Sequence, residues 1–236
     1  GDKSVIDMPA GTSAKFGVGK EMAYESDADL LKAKGAAFLK AYRDSGAGEL
    51  DIGPPERMRR SLSLTAGHEI PENELHIWQE EAALDRWARG VHWTGGAAPK
   101  AAQDFQVAVI GTGISGLNVA VQLKQAGIPF TVFEKNPEVG GSWFENRYPG
   151  ARVDTSSRGY THLFSYDYPY EYSYSPRDHN LKYFKWVADN FNIRSNIQFN
   201  TEVTAMHWDE ATAKWTLKSN GPSGPETHEY NAVISC

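Results

Sequence analysis

Only one cysteine, Cys236, occurs in the 236 residues. It cannot close an internal disulfide, and it rules out a metal site built from several thiolates. Long apolar runs are missing as well: none approaches the roughly 20 residues that span a bilayer. The opening stretch, GDKSVIDMPAGTSAKFGVGK, lacks the apolar centre of a secretory signal. Nor is there an excess of positive charge. With 24 Lys and Arg against 30 Asp and Glu, the formal net charge is −6, so neither nucleic acid nor an anionic membrane is an electrostatic partner. The seven histidines show no metal-ligand spacing. These absences point to a reduced, cytoplasmic protein without metal. What is present suits a folded core, since 40% of residues are hydrophobic and 23% charged. The length fits one large domain or two small ones.

Residues 1 to 20 read as a mobile arm, poor in large apolar side chains. From Ser26, SDADLLKAKGAAFLKAYRDSGAG predicts an amphipathic helix capped by Ser26 or Asp27. Leu31, Phe38 and Tyr42 share a face, and Gly46 and Gly48 end it. A second helix is expected over PENELHIWQEEAALDRWARG, with Pro71 in its first turn, Gly90 beyond its last, and Leu75, Trp78 and Ala82 on one face. Residues 90–103 read as a linker. The pattern then changes. FQVAVIG and PFTVFEK are short apolar runs typical of buried parallel strands, and ISGLNVAVQLKQAG between them has helical periodicity. Together they make one βαβ unit with a right-handed crossover. Further on, SPRDHNLKYFKWVADNFN predicts a helix with Ser175 at the cap and Leu181, Phe184, Val187 and Phe191 as its buried stripe. IQFNTEVTAMHWDEATAKWTLKS alternates like a meander, with DEATAK as the turn, and HEYNAVISC is a last apolar strand. A buried strand is an odd place for a domain to stop, so a fragment of a longer protein is expected.

Gly111, Gly113 and Gly116, in GTGISG, fall between the first strand and its helix. The first glycine permits a tight turn, the second lets a pyrophosphate approach the backbone, and the third lets helix and strand pack closely. The helix N-terminus offers free N–H groups to the anion. Glu134 ends the next strand, where a carboxylate accepts ribose hydroxyls and repels a ribose 2′-phosphate. That leaves NAD or FAD. An NAD domain goes from its acid to another helix and strand. Here Glu134 is followed by Gly140 and Gly141, then by an aromatic, arginine-bearing loop, a helix and a meander. A second glycine pair suits a longer dinucleotide, and FAD is the better fit.

GTGISG, FEKNPEVGGSWFENRYPGARVD, the YFKWVADNFNIRSNIQFNTEVTAMHWDEATAKWTL region and the final strand resemble the type I Baeyer–Villiger flavin monooxygenases from about Phe105 to Cys236. The resemblance implies an α/β, Rossmann-like FAD-binding domain of the two-dinucleotide-binding flavoprotein type, with a β-meander, over residues 105–236. It implies FAD here and NADPH in a second domain. It further implies that a flavin C4a-peroxide formed with O2 converts a ketone to an ester or lactone. Gly111, Gly113, Ser115, Gly116 and Gly141 are expected to cradle pyrophosphate, and Glu134 to bind the adenosine ribose. Ser142 and Trp143 are expected to line the flavin side, Tyr160 to lie near the cofactor, and the Val203 backbone to meet adenine. Asp154 is the residue expected to act in catalysis, by orienting an arginine beside the flavin; the alternative is that it caps the turn after YPGA. Arg147 and Arg152 are expected to brace loops, and the tyrosines of YDYPYEYSYS to pack or lie exposed. The family's interdomain fingerprint, NADPH glycine loop and active-site arginine are not among these residues, so the full catalytic site is not expected in this chain. Residues 1–104 resemble the helical N-terminal extension of the 4-hydroxyacetophenone monooxygenase type, which implies a role in homodimer formation; the alternative is that their apolar surface docks on the FAD domain alone. The competing readings are an N- or S-hydroxylating flavin monooxygenase and a non-catalytic nucleotide-binding or dimerisation fragment.

Overall fold

The computed structural model describes residues 25–48, 54–83 and 85–236. The expected arm over residues 1–20 lies outside what is described, whereas Ser26 and Asp27, expected at the cap, fall inside the first helix, which already includes Glu25. Between Asp85 and Arg86 the chain divides into two compact units.

The first unit is helical. Helix α1 (Glu25–Asp44) ends where Gly46 takes φ +92°, a conformation glycine adopts without strain. Phe38 is 57% exposed and stacks on Tyr42, so much of the expected apolar face is open. Helix α2 (Pro55–Ala66) was not expected, although its sequence carries both end signals: proline in the first turn and Gly67 closing it with φ +81°. Ile70 is fully buried beyond it; its N–H donates to Ser63 Oγ and its carbonyl accepts from Arg59 Nε. The helix expected over residues 71–90 is much shorter. A 3-10 turn (Glu72–Glu74) leads into α3 (Leu75–Glu81), and Ala83 at φ +53° breaks the path.

Residues 86–104, expected to go with the helical extension, pack instead with the second unit. Trp87 stacks on Phe164 at 5.7 Å and meets Phe191 edge-on at 6.1 Å. Packing that half-buried indole against the core outweighs the weak helical preference of ALDRWARG, because tertiary packing overrides local propensity. Trp93 Nε1 then donates to the Ala126 carbonyl at 2.8 Å, and a short helix α4 (Lys100–Gln103) precedes the sheet.

Strands β1 (Val107–Ile110) and β2 (Phe130–Phe133) are parallel, joined through helix α5 (Ile114–Ala126). After α5 come a short helix α6 (Ser142–Glu145), helix α7 (Arg177–Asn190) and β3 (Ile197–Gln198). An antiparallel meander follows, β4 (Glu202–Asp209), β5 (Lys214–Gly221) and β6 (Gly224–Tyr230), and then β7 (Ala232–Ser235). The parallel sheet has the order β3-β2-β1-β7. Two expectations are corrected here. Ile197–Gln198 pairs with β2 and not with the meander, and HEYNAVISC splits into the end of β6 and the whole of β7. Asn231 makes the split: its side-chain oxygen accepts from Gln106 N and its N–H donates to Gln106 O, which sets β7 beside β1.

Alternation along the strands sorts the core into two layers. Val107, Val109, Phe130 and Val132 face Leu117, Ala120 and Val121 of α5 and Phe184 and Val187 of α7. Ala108 and Phe133 face Leu217 and Tyr230 of the meander. On α7, Phe184 and Val187 are buried as expected, while Leu181 and Phe191 are only half-buried and Tyr183 and Ala188 take the deeper places. Pro176, not Ser175, is the N-cap of α7; Ser175 is buried and its hydroxyl pairs with Ser157 Oγ at 2.8 Å.

Candidate functional site

The carboxyl ends of β1 and β2 open onto a cleft of about 450 Å³, within the usual size of a ligand site. Its floor is the glycine loop. Gly111 takes φ +96°, which turns the chain from β1 towards α5. A Cβ on Gly116 would stand 2.0 Å from the Gly111 carbonyl oxygen, so only glycine allows the helix to start this close to the strand. Gly113 is the N-cap of α5, and Ile114 and Ser115 in its first turn line the cleft. The first N–H groups of a helix have no partner within it, and here they belong to residues of the cleft wall.

Gly140 (φ +137°) and Gly141 (φ +50°) bring a second loop onto the first. The Gly140 N–H donates to Thr112 O at 3.1 Å, and a Cβ on Gly141 would fall 2.7 Å from the Gly113 Cα. The two glycine loops therefore touch through their backbones. The segment leading to them is held from α7 and the turn beyond it: Arg194 donates to Glu138 Oε1 at 2.7 Å, and Lys185 lies 3.4 Å from Oε2. Burial by itself would raise the Glu138 carboxyl, but the bonds from Arg194 and the Val139 N–H outweigh it and hold the group below its ordinary range.

Glu134 lies in the cleft with only 3% of its surface exposed. One carboxylate oxygen accepts from both the Thr112 N–H (2.8 Å) and the Thr112 hydroxyl, and the other accepts from the Asn136 N–H at 2.8 Å. A carboxylate has about four lone-pair sites, so roughly one remains for a ligand hydroxyl. At the rim Lys135 pairs with Glu145 at 2.9 Å, and Asn136 Nδ2 also reaches Glu145. The hydrogen bond and charge of Glu145 raise the Lys135 ammonium above its ordinary value.

Nine of the residues expected at the site line this cleft: Gly111, Gly113, Ser115, Glu134, Gly141, Ser142, Trp143, Tyr160 and Val203. Trp143 Nε1 donates to the Tyr160 hydroxyl at 3.1 Å and their rings meet edge-on at 5.9 Å, so the two aromatics form one wall. Gly116 lies beneath the floor. Asp154 is not brought to the cleft. It is exposed, and among the described residues it makes no hydrogen bond or ion pair, neither to an arginine nor to the turn after YPGA. Arg147 braces its own loop, donating to Phe144 O and lying over the Phe144 ring at 4.7 Å. Tyr168 and Tyr170 pack on Tyr183 while Tyr166, Tyr172 and Tyr174 are exposed. Thr112, Lys135, Asn136, Glu145, Glu202 and Cys236 line the cleft without having been expected there. Cys236 carries the one signal that could have been used, because it ends the last strand beside β1, where its N–H donates to Ile110 O. Among the described residues no cluster of His, Cys, Asp and Glu could hold a metal ion, and no helix is long and apolar enough to cross a membrane.

Known proteins match part of this chain. A family model for an NAD(P)-binding Rossmann-like domain matches residues 109–172. A Baeyer–Villiger monooxygenase of Streptomyces coelicolor is 37% identical over 118 residues, which are 50% of this chain and 23% of that protein. Acetone monooxygenase (methyl acetate-forming) of a Gordonia species is 35% identical over 136 residues, covering 56% of this chain and 25% of its own. The solved structure of OTEMO in complex with FAD and NADP superposes with a TM-score of 0.52 at 29% identity, over 56% of this chain and 25% of that one. The chain thus spans about a quarter of the length of the curated relatives it matches. Over about half its length the chain is thus similar to Baeyer–Villiger flavin monooxygenases.

Proposed function

We propose that this chain is the FAD-binding part of an NADPH- and O2-dependent monooxygenase that converts ketones to esters or lactones. The observation that carries the reading is the contact of Gly141 with Gly113 inside one cleft, which presents two side-chain-free backbone segments to one ligand. A dinucleotide fits that donor set. Free N–H groups at the start of α5 suit a pyrophosphate, the remaining lone pair of Glu134 suits a ribose hydroxyl, and the Trp143–Tyr160 wall suits an aromatic ring. The three bonds Glu134 already makes hold it rigid for that purpose. When bound and reduced, the flavin supplies the electrons that activate O2. The residues of this chain bind it and fix its position.

The relatives' names support the reaction class, since the Gordonia protein forms methyl acetate. In the parent enzyme we assign Asp154 to orienting an arginine beside the flavin; its exposed, unpartnered carboxylate leaves it available to a group outside the described residues. Asp154→Ala in the full-length enzyme is expected to slow ketone oxygenation more than it weakens FAD binding. Residues 1–85 we assign to homodimer formation, as in the extended subclass, supported by the open Phe38 face of α1. Light scattering on the full-length enzyme lacking residues 1–85 tests this, and a truncated enzyme that stays dimeric overturns it. A cytoplasmic setting accords with the lone cysteine. The central test is titration of the purified chain with FAD and NAD, alongside ketone turnover by the full-length parent. Tight binding of NAD with no affinity for FAD would defeat the reading.

A further inference from the structure

Thr112 occupies the variable position between the first two glycines of the loop, where the motif asks nothing of the side chain. In this chain it is 1% exposed and uses every polar group it has. Its N–H and its hydroxyl both donate to one oxygen of Glu134, and its carbonyl accepts the N–H of Gly140. It therefore joins three parts that lie apart in sequence: the first glycine loop, the acid at the end of β2, and the second glycine pair.

We propose that Thr112 is a positioning residue for the dinucleotide, acting through Glu134. The inference rests on the reading of the cleft as an FAD site. A glutamate side chain has three rotatable bonds, and freezing them at the moment of binding lowers affinity. Two donors from one buried residue on a single carboxylate oxygen, with Asn136 N–H on the other, remove that freedom beforehand. The backbone N–H of residue 112 is present whatever the side chain; the hydroxyl is what this sequence adds. It leaves Glu134 aimed with its remaining lone pair free for a ribose hydroxyl. The link from Thr112 O to Gly140 N keeps the two glycine loops in register with that acid.

The test is flavin-fluorescence titration of the purified chain in five forms: unmodified, Thr112→Val, Thr112→Ser, Glu134→Gln, and Thr112→Val with Glu134→Gln. Thr112→Val is expected to weaken FAD binding by roughly tenfold or more, the scale of one hydrogen bond to a charged group. Thr112→Ser, which keeps the hydroxyl, is expected to restore affinity to within about twofold. In the Glu134→Gln background the valine substitution is expected to have little further effect, because its route to the ligand is gone. A purely structural threonine would give the opposite pattern, with valine equally harmful in both backgrounds. If the unmodified chain binds FAD and Thr112→Val binds it equally well, the positioning role is wrong and the FAD reading stands. If the unmodified chain does not bind FAD, both fall. Far-UV circular dichroism checks the fold of each variant, and should Thr112→Val not fold, Thr112→Ala with and without Glu134→Gln, which also removes the hydroxyl, decides whether the two residues act together.

Discussion

Gly141 rests on Gly113 so closely that a Cβ on the former would lie 2.7 Å from the Cα of the latter. The obstacle is backbone, which cannot swing aside as the tip of a side chain can. Gly141→Ala is therefore expected to push the second glycine loop off the first, at a cost of about 1–3 kcal/mol in stability. FAD affinity is expected to fall as well, because both loops form the same cleft. Thermal unfolding with and without FAD checks this, and an alanine variant with unchanged melting and unchanged affinity would contradict the packing described.

Glu134→Ala is expected to act twice. It removes a ribose partner, and it strips a buried N–H donor at Thr112 and a half-buried one at Asn136 of their acceptor. Leaving a buried donor unpaired costs about 1–3 kcal/mol. Urea unfolding of the free protein measures the second effect and FAD titration the first. Lost stability with unaltered FAD affinity would make Glu134 a structural group alone.

His162 gives the protein a dependence on acid. It is buried between Phe164 and Tyr183, its Nε2 has no hydrogen-bond partner in the protein, and burial pushes its pKa down to about 4. The unfolded imidazole titrates near 6.5, so between those values the unfolded chain takes up the proton and the folded one does not. The contribution of His162 is fully present above about pH 6.5 and is lost as the pH falls towards 4, a change on the order of 3 kcal/mol. Unfolding by urea at a series of pH values is expected to show that slope, and His162→Phe to flatten it.

Two truncations separate the units. Deleting residues 1–85 is expected to leave the second unit folded. Deleting residues 1–104 also removes Trp87 and Trp93, which stack on Phe164 and bond to Ala126. Both indoles are half-buried, so their loss costs less than the about 3–5 kcal/mol of a fully buried tryptophan, and the shorter product is expected to melt below the longer one. Equal melting temperatures would mean that residues 86–104 add nothing to the second unit and that residues 90–103 are the linker their composition suggests.

That segment shows where sequence reading stops. β1, α5 and β2 were legible because each is a short apolar run or a 3.6-residue period bounded by glycine, and those signals are local. The glycine loop and Glu134 were legible for the same reason. Trp87 was misread because ALDRWARG continues a helical pattern, and only the aromatic cluster of Phe164 and Phe191, far along the chain, shows what the indole prefers. β6 and β7 were merged because nothing local marks Asn231; its partner is Gln106, 125 residues away. Thr112 escaped notice since its neighbours impose glycine and leave its own position unconstrained. Helix α2 is different, for Pro55 and Gly67 mark both of its ends locally.

The sheet order has a consequence for how the domain forms. β1 pairs on one side with β2, some twenty residues away, and on the other with β7, where Val107 faces Ala232. The first pairing closes a short loop, and the second must bring together segments separated by the whole domain, which is entropically slower. The β1–α5–β2 unit is thus positioned to fold early, with the glycine turn already in place. The remaining edge of β1 waits for β7, and Leu217 and Tyr230 of the meander arrive over Ala108 and Phe133 in the same step. A nascent chain that has not yet emerged as far as residue 232 carries an unpaired central strand, an edge open to wrong partners, and a chaperone that recognises exposed strand edges would find its target there.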